Sequence, residues 1–120
     1  MEIICSNSKC DYTLKVSLVG KTKIGKSFFV KRLLSYKDEK NFDFNEFKLD
    51  KAYIPTIGID YFPLELKYKN LFFKIEIYDT SGDERFKTLI NSYFIGKYAV
   101  LIFFDAFDKN SFYMGKRKIF

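Results

Sequence analysis

The sequence predicts an α/β fold built on a mixed sheet, mostly parallel, with one antiparallel edge strand. Two apolar runs, around residues 12–19 and 98–104, read as strands of a covered sheet. Between them lie a helix-period segment opened by a glycine-containing loop, an aromatic hairpin and a second helical stretch. The order strand–helix–hairpin–helix–strand places ligands at the C-terminal edge of the strands. With 120 residues the chain makes one domain.

After a polar start, Tyr12–Val19 alternates and then turns wholly apolar, as a strand entering a buried sheet does. Gly20 to Ser27 is a loop of glycine and lysine. Residues Lys26–Tyr36 carry Phe29, Val30, Leu33 and Leu34 at i, i+1, i+4 and i+5, which predicts a helix with one buried face. Lys37–Lys51 is highly charged, with Phe42, Phe44 and Phe47 interspersed, and reads as a surface insertion. Ile59–Tyr68 and Leu71–Tyr78 are aromatic and β-branched, joined at Lys69–Asn70, and predict a hairpin; Pro63 puts the first at a sheet edge or bulge. Asp79–Asp83 is a turn, and Glu84–Ile95 a helix ended by Gly96. Tyr98–Phe104 is a strand, and Asp108–Phe112 opens a further helix before Gly115 and the basic Lys116–Lys118.

Composition removes several functions. There is no histidine, which excludes Ser–His and Cys–His catalysis and imidazole metal sites. The net charge of +6 suggests nucleic acid, but among 21 basic residues only Arg32, Arg85 and Arg117 are arginine, the residue favoured for reading bases. We therefore expect no nucleic-acid partner. Cys5 and Cys10 form neither a zinc site nor a CxxC motif, and no apolar run has the length of a spanning helix. The expected location is cytoplasmic.

One constellation carries chemistry. Gly20-Lys-Thr-Lys-Ile-Gly25-Lys26-Ser27 fits G-x-x-x-x-G-K-[ST] in full, with a strand before it and a helix after it. Glycines let backbone N–H groups wrap a phosphate, the lysine reaches the β- and γ-phosphates, and the hydroxyl serves Mg²⁺ at a helix N-terminus.

A phosphate cradle alone leaves kinases, ATPases and GTPases open. The later motifs discriminate. Tyr53-Ile-Pro-Thr56-Ile-Gly-Ile-Asp-Tyr61, Asp79-Thr-Ser-Gly82-Asp-Glu-Arg-Phe86, Ser92-Tyr-Phe-Ile-Gly96 and Asp108–Phe112 follow in order and spacing. With them the chain resembles the Ras-like small GTPases, and the Rab branch most closely, over residues 12–112. The resemblance implies a partial P-loop GTPase (G domain) fold with the C-terminal strands and helices missing. Residues 1–11 would be a tail, 37–51 an insertion and 113–120 a basic tail.

The same resemblance implies GTP/GDP and Mg²⁺ as ligands and a switch in vesicle traffic. Gly20, Thr22, Lys23, Ile24, Gly25, Lys26, Ser27, Tyr53, Thr56 and Gly82 would bind nucleotide. Ser27 and Thr56 would ligate Mg²⁺ directly and Asp79 through water. Tyr61, Tyr78 and Tyr93 would face effectors, and exchange and activating proteins are expected partners. For Thr56 and Asp79-x-x-Gly82 the spacing argues against a P-loop kinase or ATPase fragment.

Departures from the family pattern carry expectations of their own. Asp83 stands where the family keeps the glutamine that orients the attacking water. An ionised carboxylate there cannot donate a hydrogen bond, so hydrolysis should be slow. Lys23 replaces a usual glycine, and Thr22 would crowd an incoming arginine finger. The long insertion leaves Phe42, Phe44 and Phe47 all candidates to stack on the base. The guanine-reading Asn-Lys-x-Asp motif would lie beyond Phe120, so the residues present do not separate GTP from ATP. The strand at 98–104 would then be an edge, leaving apolar surface uncovered and solubility poor. No C-terminal cysteine is present and Glu2 excludes N-myristoylation, so no direct membrane anchor is expected. The alternative reading is a degenerate, non-hydrolysing P-loop interaction module or an incomplete gene product.

Overall fold

The computed structural model describes residues 2–3, 10–35, 55–86, 88 and 95–117. Its elements run β1 (Glu2–Ile3), β2 (Tyr12–Gly20), α1 (Lys26–Ser35), β3 (Ile59–Tyr68), β4 (Leu71–Thr80), a 3-10 turn (Glu84–Phe86), β5 (Ala99–Phe103) and α2 (Lys109–Arg117). The sheet order is β1-β3-β4-β2-β5. β2 pairs in parallel with both β4 and β5, while β3 runs antiparallel to β4 and to β1. One strand therefore opposes four, as expected for a mostly parallel sheet with one antiparallel member.

Two details correct the sequence reading. The stretch taken as a tail at 1–11 contributes β1, which pairs Glu2 with Lys67 and Ile3 with Leu66. β3 is thus flanked along that part of its length instead of being a bare edge. Pro63 lies opposite Glu76 in the ladder to β4 and needs no N–H on its other side, where the described residues place no strand. Lys69 adopts φ 55°, the left-handed turn that closes the two-residue hairpin loop.

The second correction concerns α2. The resemblance puts a basic tail at 113–120, yet the helix continues to Arg117. Asp108 caps it, its Oδ1 accepting the Asn110 N–H at 3.0 Å. A Cβ on Gly115 would fall 2.7 Å from Ile102 Cγ2. The glycine is there so the helix can lie close on β5, and that packing outweighs its poor helix propensity of about 1 kcal/mol.

The α1 face of the sheet holds the core: Leu18, Val30 and Ile77 are buried, with Val16, Leu33, Leu34, Phe62, Ile75 and Phe103 packed around them. Phe29, expected inside, is 40% exposed and touches only the edge of that core, its ring meeting Phe103 edge-on at 5.4 Å. The predicted helix at 84–95 begins as the Glu84–Phe86 turn; residues 87 and 89–94 lie outside the described set. Gly96 takes φ 74°. No described helix is long and apolar enough to cross a membrane.

Candidate nucleotide and magnesium site

The site forms where β2 ends and α1 begins. Gly20 closes β2 beneath the strand β5, and a Cβ on it would meet Phe103 O at 2.5 Å, so only glycine fits. Ile24 folds back toward the same atom, its Cγ2 at 3.0 Å from that Cβ position. Gly25 has φ 102°, and its carbonyl accepts the Phe29 N–H at 2.9 Å, the first bond of α1. The first turn of α1 has no acidic residue. Its N-terminal dipole and Lys26 therefore leave a local positive field with no acid on the helix to balance it.

Lys26 is 6% exposed. Its Nζ donates to Gly20 O at 3.1 Å and to Lys21 O at 2.9 Å, which fixes the ammonium across the loop it belongs to. Lys23 takes φ 60°, left-handed backbone at a position without glycine. That conformation costs a non-glycine residue about 1 kcal/mol. Thr22 and Lys23 are exposed.

Three oxygens converge beside this loop. Ser27 Oγ donates to Asp79 Oδ2, Ser27 Oγ and Thr56 Oγ1 are 3.1 Å apart, and Thr56 Oγ1 donates to Asp79 Oδ2 at 3.4 Å. Residues 27, 56 and 79 come from three separate elements. Asp79 is fully buried at the end of β4, and its second oxygen, Oδ1, is buried without a hydrogen-bond partner. Burial pushes the Asp79 carboxyl above the usual carboxylate range; the Ser27 hydroxyl and the Lys26 charge oppose this, and Asp60, its neighbour across the hairpin, adds to it. Two hydroxyls and one carboxylate with an orphan oxygen are a hard-oxygen donor set of the kind Mg²⁺ takes while keeping several waters. The residues present fit that ion.

Contacts that sequence reasoning missed hold the three oxygens together. The buried Thr80 Oγ1 donates to Leu18 O at 2.6 Å, tying the end of β4 to β2. Ser81 N–H donates to Gly58 O at 2.8 Å, linking the 56–58 and 79–82 segments directly. A Cβ on Gly82 would lie 2.1 Å from Thr22 N, so the backbone of this segment rests on the glycine loop itself. Short polar side chains at strand ends have no periodicity to betray such roles.

Asp83 is held by its own turn. Its Oδ1 accepts the Arg85 backbone N–H at 2.9 Å, and its Oδ2 accepts Arg85 Nε and Nη2 at 2.9 and 2.6 Å. Its N–H donates to Ser81 Oγ at 3.2 Å. Tyr53 and Tyr93 lie outside the described residues, as do Phe42, Phe44 and Phe47.

Tyr61 and Tyr78 do meet, their rings edge-on at 5.5 Å. Their hydroxyls donate to the two oxygens of Glu76 at 3.1 and 3.2 Å, Lys74 pairs with Glu76 at 3.3 Å, and the Lys97 Nζ sits 3.3 Å from the Tyr78 ring centroid. Burial alone would raise the Glu76 carboxyl, but the Tyr61, Lys74 and Tyr78 donors outweigh it and hold it below its ordinary value. Burial, with Lys15 nearby, lowers Lys97.

A glycine loop on a helix N-terminus, with hydroxyls and a carboxylate gathered at its mouth, has the form of a P-loop. The comparisons narrow the class. The family model for the Ras family matches residues 15–119, and the chain belongs to that family. It is 34% identical to GTP-binding protein YPTM1 of Zea mays over 106 residues, 88% of this chain and 46% of the relative. It is 33% identical to GTP-binding protein YPT1 of Saccharomyces cerevisiae, with the same coverage. Ras-related protein RABD2a of Arabidopsis thaliana is also 33% identical, over 88% of this chain and 47% of its own length. The chain spans about half the length of the curated relatives it matches, and their names place it beside the Rab/Ypt branch.

Proposed function

We propose that this protein is a Rab-like nucleotide-dependent switch in vesicle traffic, binding GTP or GDP with Mg²⁺ and acting through effector, exchange and activating proteins. The meeting of Ser27 and Thr56 on one oxygen of the buried Asp79 carboxylate, whose other oxygen has no partner, carries the reading. The guanine preference rests on relatives named as GTP-binding proteins.

In this reading the N–H groups from Gly20 to Ser27 wrap the phosphates, with Ile24 packing the loop and Lys26 supplying charge. Ser27, Thr56 and Asp79 would hold Mg²⁺, the two hydroxyls directly and the carboxylate through water. The ion, when bound, neutralises charge on the β- and γ-phosphate oxygens. Thr56 and Gly82 sense the third phosphate from two segments already joined by Ser81 and Gly58. Tyr61 and Tyr78 then present their rings and the shared Glu76 to an effector, together with Tyr93.

GTP hydrolysis is slow in this chain. The glutamine position is taken by Asp83, whose carboxylate accepts three hydrogen bonds from Arg85 and has little capacity left to orient water. The same clamp favours the second reading, a non-hydrolysing interaction module. Nucleotide affinity separates the two.

Titration with fluorescent GTP, GDP and ATP analogues, with and without Mg²⁺, tests the proposal. Saturable uptake of the guanine nucleotides, tightened by Mg²⁺ and weakened at least about tenfold in Lys26→Ala, is expected, one such charge-assisted contact contributing roughly 1.5–3 kcal/mol. A folded chain that takes up none of them refutes it.

A further inference from the structure

Charges in the sheet are paired by opposite sign, with one exception. In the ladders of the described residues, Glu2 lies beside Lys67, Glu65 beside Lys74 and Lys15 beside Glu76. Asp60, by contrast, lies directly across from Asp79. Like charges directly opposite destabilise an antiparallel pair, and here one member is fully buried, where water screens it least. None of the ion pairs among the described residues includes Asp60. Lys26 draws on the Asp79 charge, but its ammonium donates to Gly20 O and Lys21 O at 3.1 and 2.9 Å. Two acids set side by side without a cation of their own are explained by an ion that both can serve.

The backbone brings Asp60 to the right face. Residues opposite each other in a ladder share a face, and the face of Asp60 and Asp79 also carries Phe62 and Ile77, which pack into the core with α1. Two residues before Asp60, Gly58 O accepts the Ser81 N–H at 2.8 Å. Two residues after it, Phe62 is anchored in the core. Asp60 is thus held from both sides, next to the carboxylate that Ser27 and Thr56 meet. It is exposed and keeps its access to water, while Asp79 Oδ1 is buried with no hydrogen-bond partner.

We propose that Asp60 is a positioning residue of the Mg²⁺ site, a second carboxylate that holds the ion through water alongside Asp79. The inference rests on the reading of Ser27, Thr56 and Asp79 as that site, and goes beyond it by giving β3 a share in the ion. The two carboxylates repel each other in the metal-free chain, and the same two charges attract a divalent cation. Asp60 therefore strengthens the hold on the ion without touching the nucleotide. Residues that orient the water and ligands around a metal are worth about 10–100-fold in its affinity.

Two titrations of the 120-residue chain test this, on the parent, Asp60→Asn and Glu65→Gln. Glu65 is the control, a carboxylate of the same strand that stands opposite a lysine. Mn²⁺, a hard divalent probe followed by electron paramagnetic resonance, is titrated into the nucleotide-free chains. Mg²⁺ is then titrated into the chains with a fluorescent GDP analogue. Asp60→Asn should raise the half-saturating ion concentration by about tenfold or more, with Glu65→Gln at the parent value. Asp60→Glu, which keeps the charge, should recover most of the loss. Affinity for the GDP analogue in EDTA should not fall in Asp60→Asn, whereas a residue that merely held β3 in place would weaken it. Circular dichroism checks that each variant is folded. No rise for Asp60→Asn in either titration overturns the inference, as does an equal rise for Glu65→Gln. A parent that takes up no nucleotide but binds Mn²⁺ through Asp60 overturns the nucleotide reading and leaves the ion site standing. A parent that binds neither overturns both.

Discussion

A single carboxylate holds the tension in this site. Asp79 is fully buried with Oδ1 unpartnered, and its carboxyl lies above its ordinary range chiefly because of that burial. A carboxyl whose folded value is raised binds its proton more tightly in the folded chain than in the unfolded one. Its ionised form therefore destabilises the nucleotide-free fold, and the cost appears as pH rises from the unfolded carboxylate range through the folded value. Asp79→Asn removes the charge while keeping an oxygen for the Ser27 and Thr56 hydroxyls. Urea titration at neutral pH should place its midpoint above the parent's, with the difference closing as pH falls toward about 4. The same variant should lose about 10–100-fold in Mg²⁺-dependent nucleotide affinity. A midpoint below the parent's at neutral pH would mean that the lost hydrogen bonds outweigh the relieved charge.

Among the elements, those with strong periodicity were legible in the sequence and those set by a single contact were not. β2, α1 and the hairpin announce themselves through apolar spacing over eight residues or more. β1 is two residues long and has no period to read. The glycine–lysine loop and the Ser27, Thr56, Asp79 trio were visible because motif spacing encodes them. The Asp83–Arg85 clamp and the Thr80 and Ser81 ties depend on side-chain directions that spacing does not contain. α2 shows the conflict most plainly, because Gly115 opposes the helix locally and permits its docking globally. Gly115→Ala should stabilise an isolated helix by about 1 kcal/mol. In the protein its Cβ meets Ile102 Cγ2, a branched methyl with little room to move, and overpacking of this kind costs about 1–3 kcal/mol. A lower denaturation midpoint is expected, partly restored relative to Ile102→Ala alone when both are combined. A midpoint raised by Gly115→Ala would show that α2 is not held against β5.

At the scale of the whole molecule, the site and the core are one structure. Among the described residues the buried hydrophobics are only Leu18, Val19, Val30, Leu64, Leu66 and Ile77. Leu18 and Val19 lie on β2 just before the loop, Val30 is on α1 just after it, and Ile77 is two residues before Asp79. Against this small core stand exposed Tyr98, Leu101, Phe104, Phe107 and Tyr113. Each large apolar side chain left in water forgoes about 1.5–3 kcal/mol, in a balance that leaves domains only about 5–15 kcal/mol. Among the described residues, a ligand that clamps β2, α1 and β4 together acts on the elements that carry the buried cluster Leu18, Val30 and Ile77. Binding to the folded state alone adds about 2.7 kcal/mol at 100 times Kd. For a chain of this size that is a rise in melting temperature of about 10 °C. Differential scanning fluorimetry with GDP and Mg²⁺ should show that rise, and a sharper transition, in the parent chain. Lys26→Ala should melt at a temperature that nucleotide no longer moves. An unchanged melting temperature in the parent at saturating nucleotide would separate the core from the site and contradict their coupling.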